Sequence, residues 1–194
     1  LFAGFDGPRV KPGNYSARVS RGAAAQSVTF QLKMDSRLSA TDDEIQFWSD
    51  TLTEISDLLN KSLLSLDNLR LAQRQIKVLM TDHSDDRALQ AVAATAIEKI
   101  TSWDSGIIQV LHQTYEDEDA WETMLVGQLR YLMDVIDKTG APVTGGALLR
   151  LADLKAKWAQ RRAEMQLIKS EYIDVINQWA QKQGVPHVTS TIPQ

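Results

Sequence analysis

The stretch that decides the fold is residues 41–80, TDDEIQFWSDTLTEISDLLNKSLLSLDNLRLAQRQIKVLM. Its opening TDDE has the spacing of a capping box, in which the Thr41 hydroxyl accepts a hydrogen bond from the Glu44 amide and the Glu44 carboxylate accepts one from the Thr41 amide. Mostly apolar residues then recur every seven positions in two rows, as in a helix that packs on other helices. The rows are Ile45, Leu52, Leu59, Leu66, Gln73 and Met80, and Trp48, Ile55, Ser62, Leu69 and Ile76. This pattern predicts one long helix that ends near Thr81.

Three more helices are predicted further along the chain. The second runs from residues 84–86 to Gln113, the third from the acidic run at 116–119 to Gly140, and the last from TGG at 144–146 to Gly184. Their apolar stripes are Leu89, Ala93, Ala96, Ile100, Trp103, Ile107 and Val110; Trp121, Leu125, Gln128, Leu132 and Val135; and Leu151, Leu154, Trp158, Arg161, Met165, Ile168, Tyr172, Val175 and Trp179. Because short connections make sequence neighbours antiparallel, we expect a mainly-α fold, an elongated up-down four-helix bundle.

The N-terminal segment has a different period. Apolar and polar residues alternate over residues 14–20 and 27–34, which predicts two β-strands joined by residues 21–26 as a hairpin. A lone hairpin is only marginally stable in water, so we expect these strands to lie on the helices or to belong to a larger sheet. Leu1 is not an initiator methionine, and we expect the chain to be part of a longer protein.

One polar layer is predicted inside the bundle. If the first and last helices are antiparallel with their midpoints level, Ser62 and Arg161 lie at similar height, and the small serine leaves room for the long cation. In the alternative, Arg161 extends along the bundle edge to water.

Composition excludes several classes of function. The net charge is −4 and the pI near 5.4, which argues against a nucleic-acid partner or an anionic membrane surface. No apolar run approaches the roughly 18 residues of a membrane-spanning helix, so no membrane insertion is expected. The chain has no cysteine, which excludes disulfides and thiolate metal sites.

The sequence contains no recognisable catalytic constellation. His83, His112 and His187 lie far apart and have no partner at metal-ligand or triad spacing, and the common hydrolase, phosphate-loop and dinucleotide motifs are absent. The acidic run at 116–119 is either a cation site or a solvated helix start, and we favour the helix start. The five tryptophans are either sugar-stacking platforms or core residues, and we favour the core because all lie on apolar stripes. We therefore predict no catalytic, cofactor-binding or metal-binding residue, although an enzymatic role stays an open alternative.

Several short motifs resemble one bacterial family. They are GP at 7–8, Val10, PGNY at 12–15 and FQLKMDSRL at 30–38, and later GQLRYL at 127–132, APVT at 141–144 and INQW at 176–179. In this order they resemble the C-terminal region of sortilin-like BNR-repeat β-propeller proteins, which are often labelled glycosyl-hydrolase-like. The family has D-P-R where this chain has Asp35-Ser36-Arg37.

The resemblance implies a domain organisation. Residues 1–38 would be the last strands of a truncated immunoglobulin-like sandwich, and residues 39–194 a helical domain. Any glycosidase chemistry would lie in a propeller outside this chain, so no catalytic residue is transferred. Export to the periplasm or secretion is implied by the family alone.

Two functions are compatible with these observations. The first is a non-catalytic C-terminal accessory or assembly domain, which packs on other domains of the same parent chain or joins copies as a homo-oligomer. The alternative is a helical sensory or small-ligand-binding bundle with a pocket near Ser62, Gln73 or Arg161.

Overall fold

The mainly-α helical bundle with an N-terminal β-hairpin is confirmed by a computed structural model. It describes residues 7–35, 37, 39–111, 114 and 116–190, without the side chains of residues 118 and 119. The strands are β1 (Gly13–Arg21) and β2 (Ala24–Leu32). The helices are α1 (Asp42–Asp82), α2 (Arg87–Ser105), the single turn α3 (Asp117–Ala120), α4 (Leu125–Thr139), α5 (Gly145–Ile168) and α6 (Asp174–Gln183). A π-helical turn, Lys169–Ile173, joins α5 to α6.

Helix α1 begins and ends as predicted. The Glu44 amide donates to Thr41 Oγ1 at 3.3 Å, and the Thr41 amide donates to Glu44 Oε2 at 2.8 Å, so both halves of the capping box form. Every residue of the two predicted rows is buried except Gln73 and Met80, which are half-buried. At 1.5 Å rise per residue this helix is about 60 Å long and extends along the whole bundle.

Helix α2 packs antiparallel on the C-terminal half of α1. Near the top of the pair, Gln90 Nε2 donates to the Met80 carbonyl oxygen at 2.7 Å. Further down, Arg70 Nε donates to Asp104 Oδ2 at 2.6 Å, and this carboxylate raises the pKa of the arginine. In these two contacts the residue number falls along α1 while it rises along α2, so the two helices are antiparallel.

Helix α4 packs on the N-terminal half of α1 and continues the direction of α2. Trp48 Nε1 of α1 donates to the Ile136 carbonyl oxygen at 3.0 Å, near the end of α4. At the start of α4, the Val126 amide donates to the Ile107 carbonyl oxygen at 3.0 Å, just beyond the end of α2. The two shorter helices therefore follow one another between the two long ones.

The first and last helices consequently run in the same direction, and the predicted antiparallel arrangement of that pair is wrong. Lys155 of α5 pairs with Glu54 near the start of α1. At the other end of the bundle, Trp179 Nε1 donates to Asp86 Oδ2 at 2.8 Å, close to where α1 ends. The prediction assumed a short reversal after α2, whereas α4 continues in the direction of α2.

The predicted polar layer is also wrong. Ser62 Oγ donates to the Leu58 carbonyl oxygen of its own helix at 2.8 Å. Arg161 pairs with Glu164 at 2.8 Å and lies against Gly106 at the end of α2. No contact joins Ser62 to Arg161 in the described part of the chain, because Arg161 lies against the end of α2, whereas the next residue, Arg162, lies toward α1.

Two helix boundaries also differ from prediction. Helix α2 ends at Ser105 rather than Gln113, because the Ile107 carbonyl oxygen is occupied by the Val126 amide and the Leu111 amide donates to Gln109 Oε1. The third helix does not extend from the acidic run to Gly140, since only α3 forms there and α4 starts at Leu125. Between them, Trp121 is 48% exposed and is not a core residue.

The π-helical turn shifts the buried face of the last helix by one residue. Its wider turn places Ile173 rather than Tyr172 in line with Ile168. The predicted positions Tyr172, Val175 and Trp179 are therefore replaced in the core by Ile173, Ile176 and Ala180. Gly184 ends the helix as predicted, with a left-handed φ of 69° that suits glycine.

Candidate functional site

The hairpin has a tighter loop than the sequence predicts. Arg21 pairs with Ala24, so the loop is Gly22 and Ala23 alone rather than residues 21–26. Gly22 has a φ of 57° and Ala23 does not have a positive φ, as in a type II′ turn. The loop twists in the same sense as the strands, which lets both continue for nine residues.

One face of this hairpin is apolar and exposed. Tyr15 lies opposite Phe30, with stacked rings 6.1 Å apart, and Ala17 lies opposite Val28. Every residue of β2 is exposed, and on β1 only Gly13 and Tyr15 are half-buried. Val19 is 74% exposed and Val28 61%. Within the described residues, neither strand buries this face on a helix.

The hairpin is basic, whereas the rest of the chain is acidic. Residues 7–34 contain Arg9, Lys11, Arg18, Arg21 and Lys33 and no acidic residue. Since the whole chain has a net charge of −4, the remainder has a net charge of −9. The base of the hairpin is fixed to the bundle, where Arg9 Nε lies 3.3 Å from Asp137 Oδ1 and Lys11 bonds to Gln46.

A groove with a volume of about 570 Å³ lies between the parallel helices α1 and α5. Its floor is formed by two apolar residues, Leu58 and Trp158, each of which is 8% exposed. Its walls are charged. They consist of Asp50, Thr53, Glu54, Asp57 and Lys61 on α1, and Lys155 and Arg162 on α5.

The charged groups of this groove are only partly paired. Glu54 and Lys155 form an ion pair across it. The side chains of Asp57, Lys61 and Arg162 make no hydrogen bond or ion pair with any residue that the structure describes, and Arg162 Nε is buried without an acceptor. A buried donor without a partner costs about 1–3 kcal/mol, and more when it is charged. These three residues lie outside the predicted apolar rows. The sequence signal that could have indicated the groove is the spacing of Asp50, Glu54 and Asp57, which places three acidic residues on one face of α1.

The pocket predicted near Ser62, Gln73 or Arg161 is found for one of the three residues. Arg161 lines a smaller cleft of about 180 Å³ at the junction of α2, α4 and α5. Ser62 is fully buried, and Gln73 Nε2 donates to Thr101 Oγ1 at 2.9 Å. The polar groups of these two side chains are therefore hydrogen-bonded within the bundle, to Leu58 and Thr101 respectively.

The histidines lie at separate places. His83 caps the end of α1 and meets Trp179 edge-on, with ring centroids 5.0 Å apart. His187 is exposed, and His112 lies outside the described residues. No group of three or more His, Asp or Glu side chains that could hold a metal ion occurs in the described part.

Asp86, beside His83, is held as a carboxylate. Hydrogen bonds from the Leu89 amide and from Trp179 Nε1 lower its pKa, the first of them more strongly. The residue caps α2 and ties its start to α6, so it links two helices. Trp179 is half-buried in this contact, whereas Trp48, Trp103 and Trp158 are buried as predicted.

Comparison with known proteins gives no match: no family model, curated protein or solved structure is similar to this chain. Among the described helices, none combines the length and the apolar character that crossing a bilayer requires.

Proposed function

We propose that this chain is a non-catalytic accessory or assembly domain that docks its hairpin face-on against a β-sheet of another domain in the same parent protein. The observation that carries the proposal is the exposed apolar face of β1 and β2, whose base is held on the helical bundle. Two sheets pack face to face through such surfaces, about 10 Å apart.

Burial of this face would supply much of the interface energy. Val19, Val28 and Phe30 are 74%, 61% and 45% exposed. Full burial of an aliphatic or aromatic side chain of this size contributes about 1.5–3 kcal/mol. A hairpin without a partner sheet is only marginally stable, so the same contact would also stabilise the strands.

Charge favours a partner other than a second copy of the hairpin. The charged residues within β1 and β2 are Arg18 and Arg21, both basic, so two copies placed face to face would bring like charges near one another. Like charges placed opposite one another disfavour association. The proposed partner is therefore a sheet whose apolar face has an acidic border.

The motif resemblance supports an identity for the parent. On that basis we propose an exported sortilin-like BNR-repeat β-propeller protein of the glycosyl-hydrolase-like kind, with the hairpin completing an immunoglobulin-like sandwich. Any hydrolysis would then take place in the propeller, and the bundle would support or join parent molecules in the periplasm or outside the cell.

Hydrogen exchange tests the docking. Strand amides are compared in this chain and in the polypeptide encoded by its complete gene. We expect strong protection of β1 and β2 only in the longer polypeptide. Val28→Glu should abolish that protection, whereas Thr29→Glu, which alters the opposite face of the same strand, should leave it.

Two results would contradict the proposal. Equal exchange in the short and long polypeptides would show that the face has no partner within the parent. Protection that rises with the concentration of the short chain would instead identify a second copy as the occupant.

A further inference from the structure

The groove between α1 and α5 carries positive and negative side chains at different positions along the helix axis. Lys61 and Arg162 are cationic and lie at the upper end, and Asp57 is anionic one helical turn below Lys61. The structure assigns to this groove a zwitterionic small ligand of the short-peptide class that carries an apolar side chain. This site is independent of the hairpin and of its docking partner.

The cationic end has an unmet need for an acceptor. Arg162 is half-buried, and its side chain makes no hydrogen bond or ion pair with any described residue. Lys61, on the facing helix, makes no ion pair there either. A carboxylate is the natural acceptor for an arginine and a lysine together, because charge-assisted hydrogen bonds are stronger than neutral ones.

Asp57, at the anionic end, indicates that the ligand also carries an ammonium group. Asp57 and Lys61 are four residues apart on α1, which corresponds to about 6 Å along the helix axis. This separation suits the ammonium and carboxylate groups of a dipeptide, one bound by Asp57 and the other by Lys61 and Arg162. A ligand with a single charge would satisfy only one end.

The floor and the size of the groove fit the apolar part of such a ligand. Leu58 and Trp158 form an apolar floor between the charged walls, and the volume is about 570 Å³. Small-molecule sites typically range over about 300–1,000 Å³ and combine an apolar lining with a few polar groups. The ion pair of Glu54 with Lys155 crosses the groove below Asp57.

Calorimetric titration of the whole chain with glycyl-L-leucine tests the assignment. Two analogues remove one charge each: N-acetyl-glycyl-L-leucine lacks the ammonium group, and glycyl-L-leucinamide lacks the carboxylate. We expect the dipeptide to bind and each analogue to bind more than about tenfold more weakly, since a hydrogen bond to a charged group is lost in each case.

Substitutions assign the two ends separately. Arg162→Gln should weaken the dipeptide but change the amide analogue little, and Asp57→Asn should weaken the dipeptide but change the N-acetyl analogue little. Arg74→Gln, an exposed position of α1 outside the groove, should titrate like the unsubstituted chain. Circular dichroism confirms that each variant is folded, and Asp57 is exposed, so its replacement leaves the core intact.

The assignment is overturned if the dipeptide does not bind up to millimolar concentration, which would leave the groove as a solvated charged surface. It is also overturned if the dipeptide and both analogues bind equally, or if folded Arg162→Gln binds the dipeptide as well as Arg74→Gln does.

Discussion

Deletion of Glu171 tests the account of the π-helical turn. This exposed residue lies within Lys169–Ile173, where one extra residue moves the buried face from Tyr172 to Ile173. Without it, Ile168 and Ile173 are separated by four positions, the ordinary spacing of one face of an α-helix. We therefore expect the deletion to convert the turn to α-helix and to keep Ile173 and the residues after it in the core.

The expected change in the free energy of unfolding is within about 1 kcal/mol, because no buried side chain leaves the core. A deletion of the exposed Ala159 is the matched control. It rotates the following residues by about 100° and turns Met165 and Ile168, which are 1% and 6% exposed, away from the core. At about 1.5–3 kcal/mol for each side chain, this control should lose about 3–6 kcal/mol.

Urea unfolding followed by circular dichroism measures both deletions on the same scale. The reasoning is refuted if removal of Glu171 destabilises the chain as much as removal of Ala159 does. That result would mean that the wide turn itself holds the last helix in register, and that the downstream apolar face does not set it.

Three further predictions concern local contacts. Thr41→Ala removes the hydroxyl of the capping box and should lower the free energy of unfolding by about 1 kcal/mol, measured by urea unfolding. The pKa of Asp86 is lowered in the folded chain. Its contribution to the free energy of unfolding is therefore fully present at a pH above the ordinary aspartate pKa, and it is lost as the pH falls through the pKa of the folded state. Asp86→Asn should therefore flatten the loss of stability between neutral pH and about pH 3, with the Trp179 contact as a fluorescence probe. Gly106 has an ordinary negative φ, so Gly106→Ala should destabilise only by displacing the Arg161 side chain, and truncation of Arg161 to Ala should remove most of that effect in a double-mutant cycle.

The features that the sequence predicts well are local. The capping box at Thr41 and Glu44 involves residues three apart, and the apolar rows of α1 need only the helical period. The same holds for Thr144, whose hydroxyl accepts from the Ala147 amide at the start of α5. Such signals act within one or two turns and do not depend on which helix packs against them.

The features that it predicts poorly depend on contacts distant in sequence. Gly106 caps the end of α2, but the apolar stripe continues in the sequence through Ile107 and Val110, and the end is fixed by the Val126 amide from α4, which donates to the carbonyl oxygen of Ile107. By its spacing from Ile168, Tyr172, four positions on, is a better match to an α-helix than Ile173, five positions on. Packing of this segment on α2 places Ile173 in the core. The apolar periodicity of the segment carries no information about that packing.

The same connection, residues 106–124, accounts for the groove. Because it carries the chain from α2 to α4 without a reversal, α5 returns parallel to α1, and its height is fixed on the other side by Trp103 Nε1, which donates to the Arg161 carbonyl oxygen at 2.7 Å. Arg161 then faces the end of α2, and the next residue, Arg162, faces α1. In an antiparallel arrangement with level midpoints, Lys61 and Arg162 would still lie at similar height, but Glu54 and Lys155 would lie on opposite sides of that level and could not pair. The ion pair at the lower end of the proposed peptide site is thus a consequence of helix direction, which is why the individual helices do not predict it.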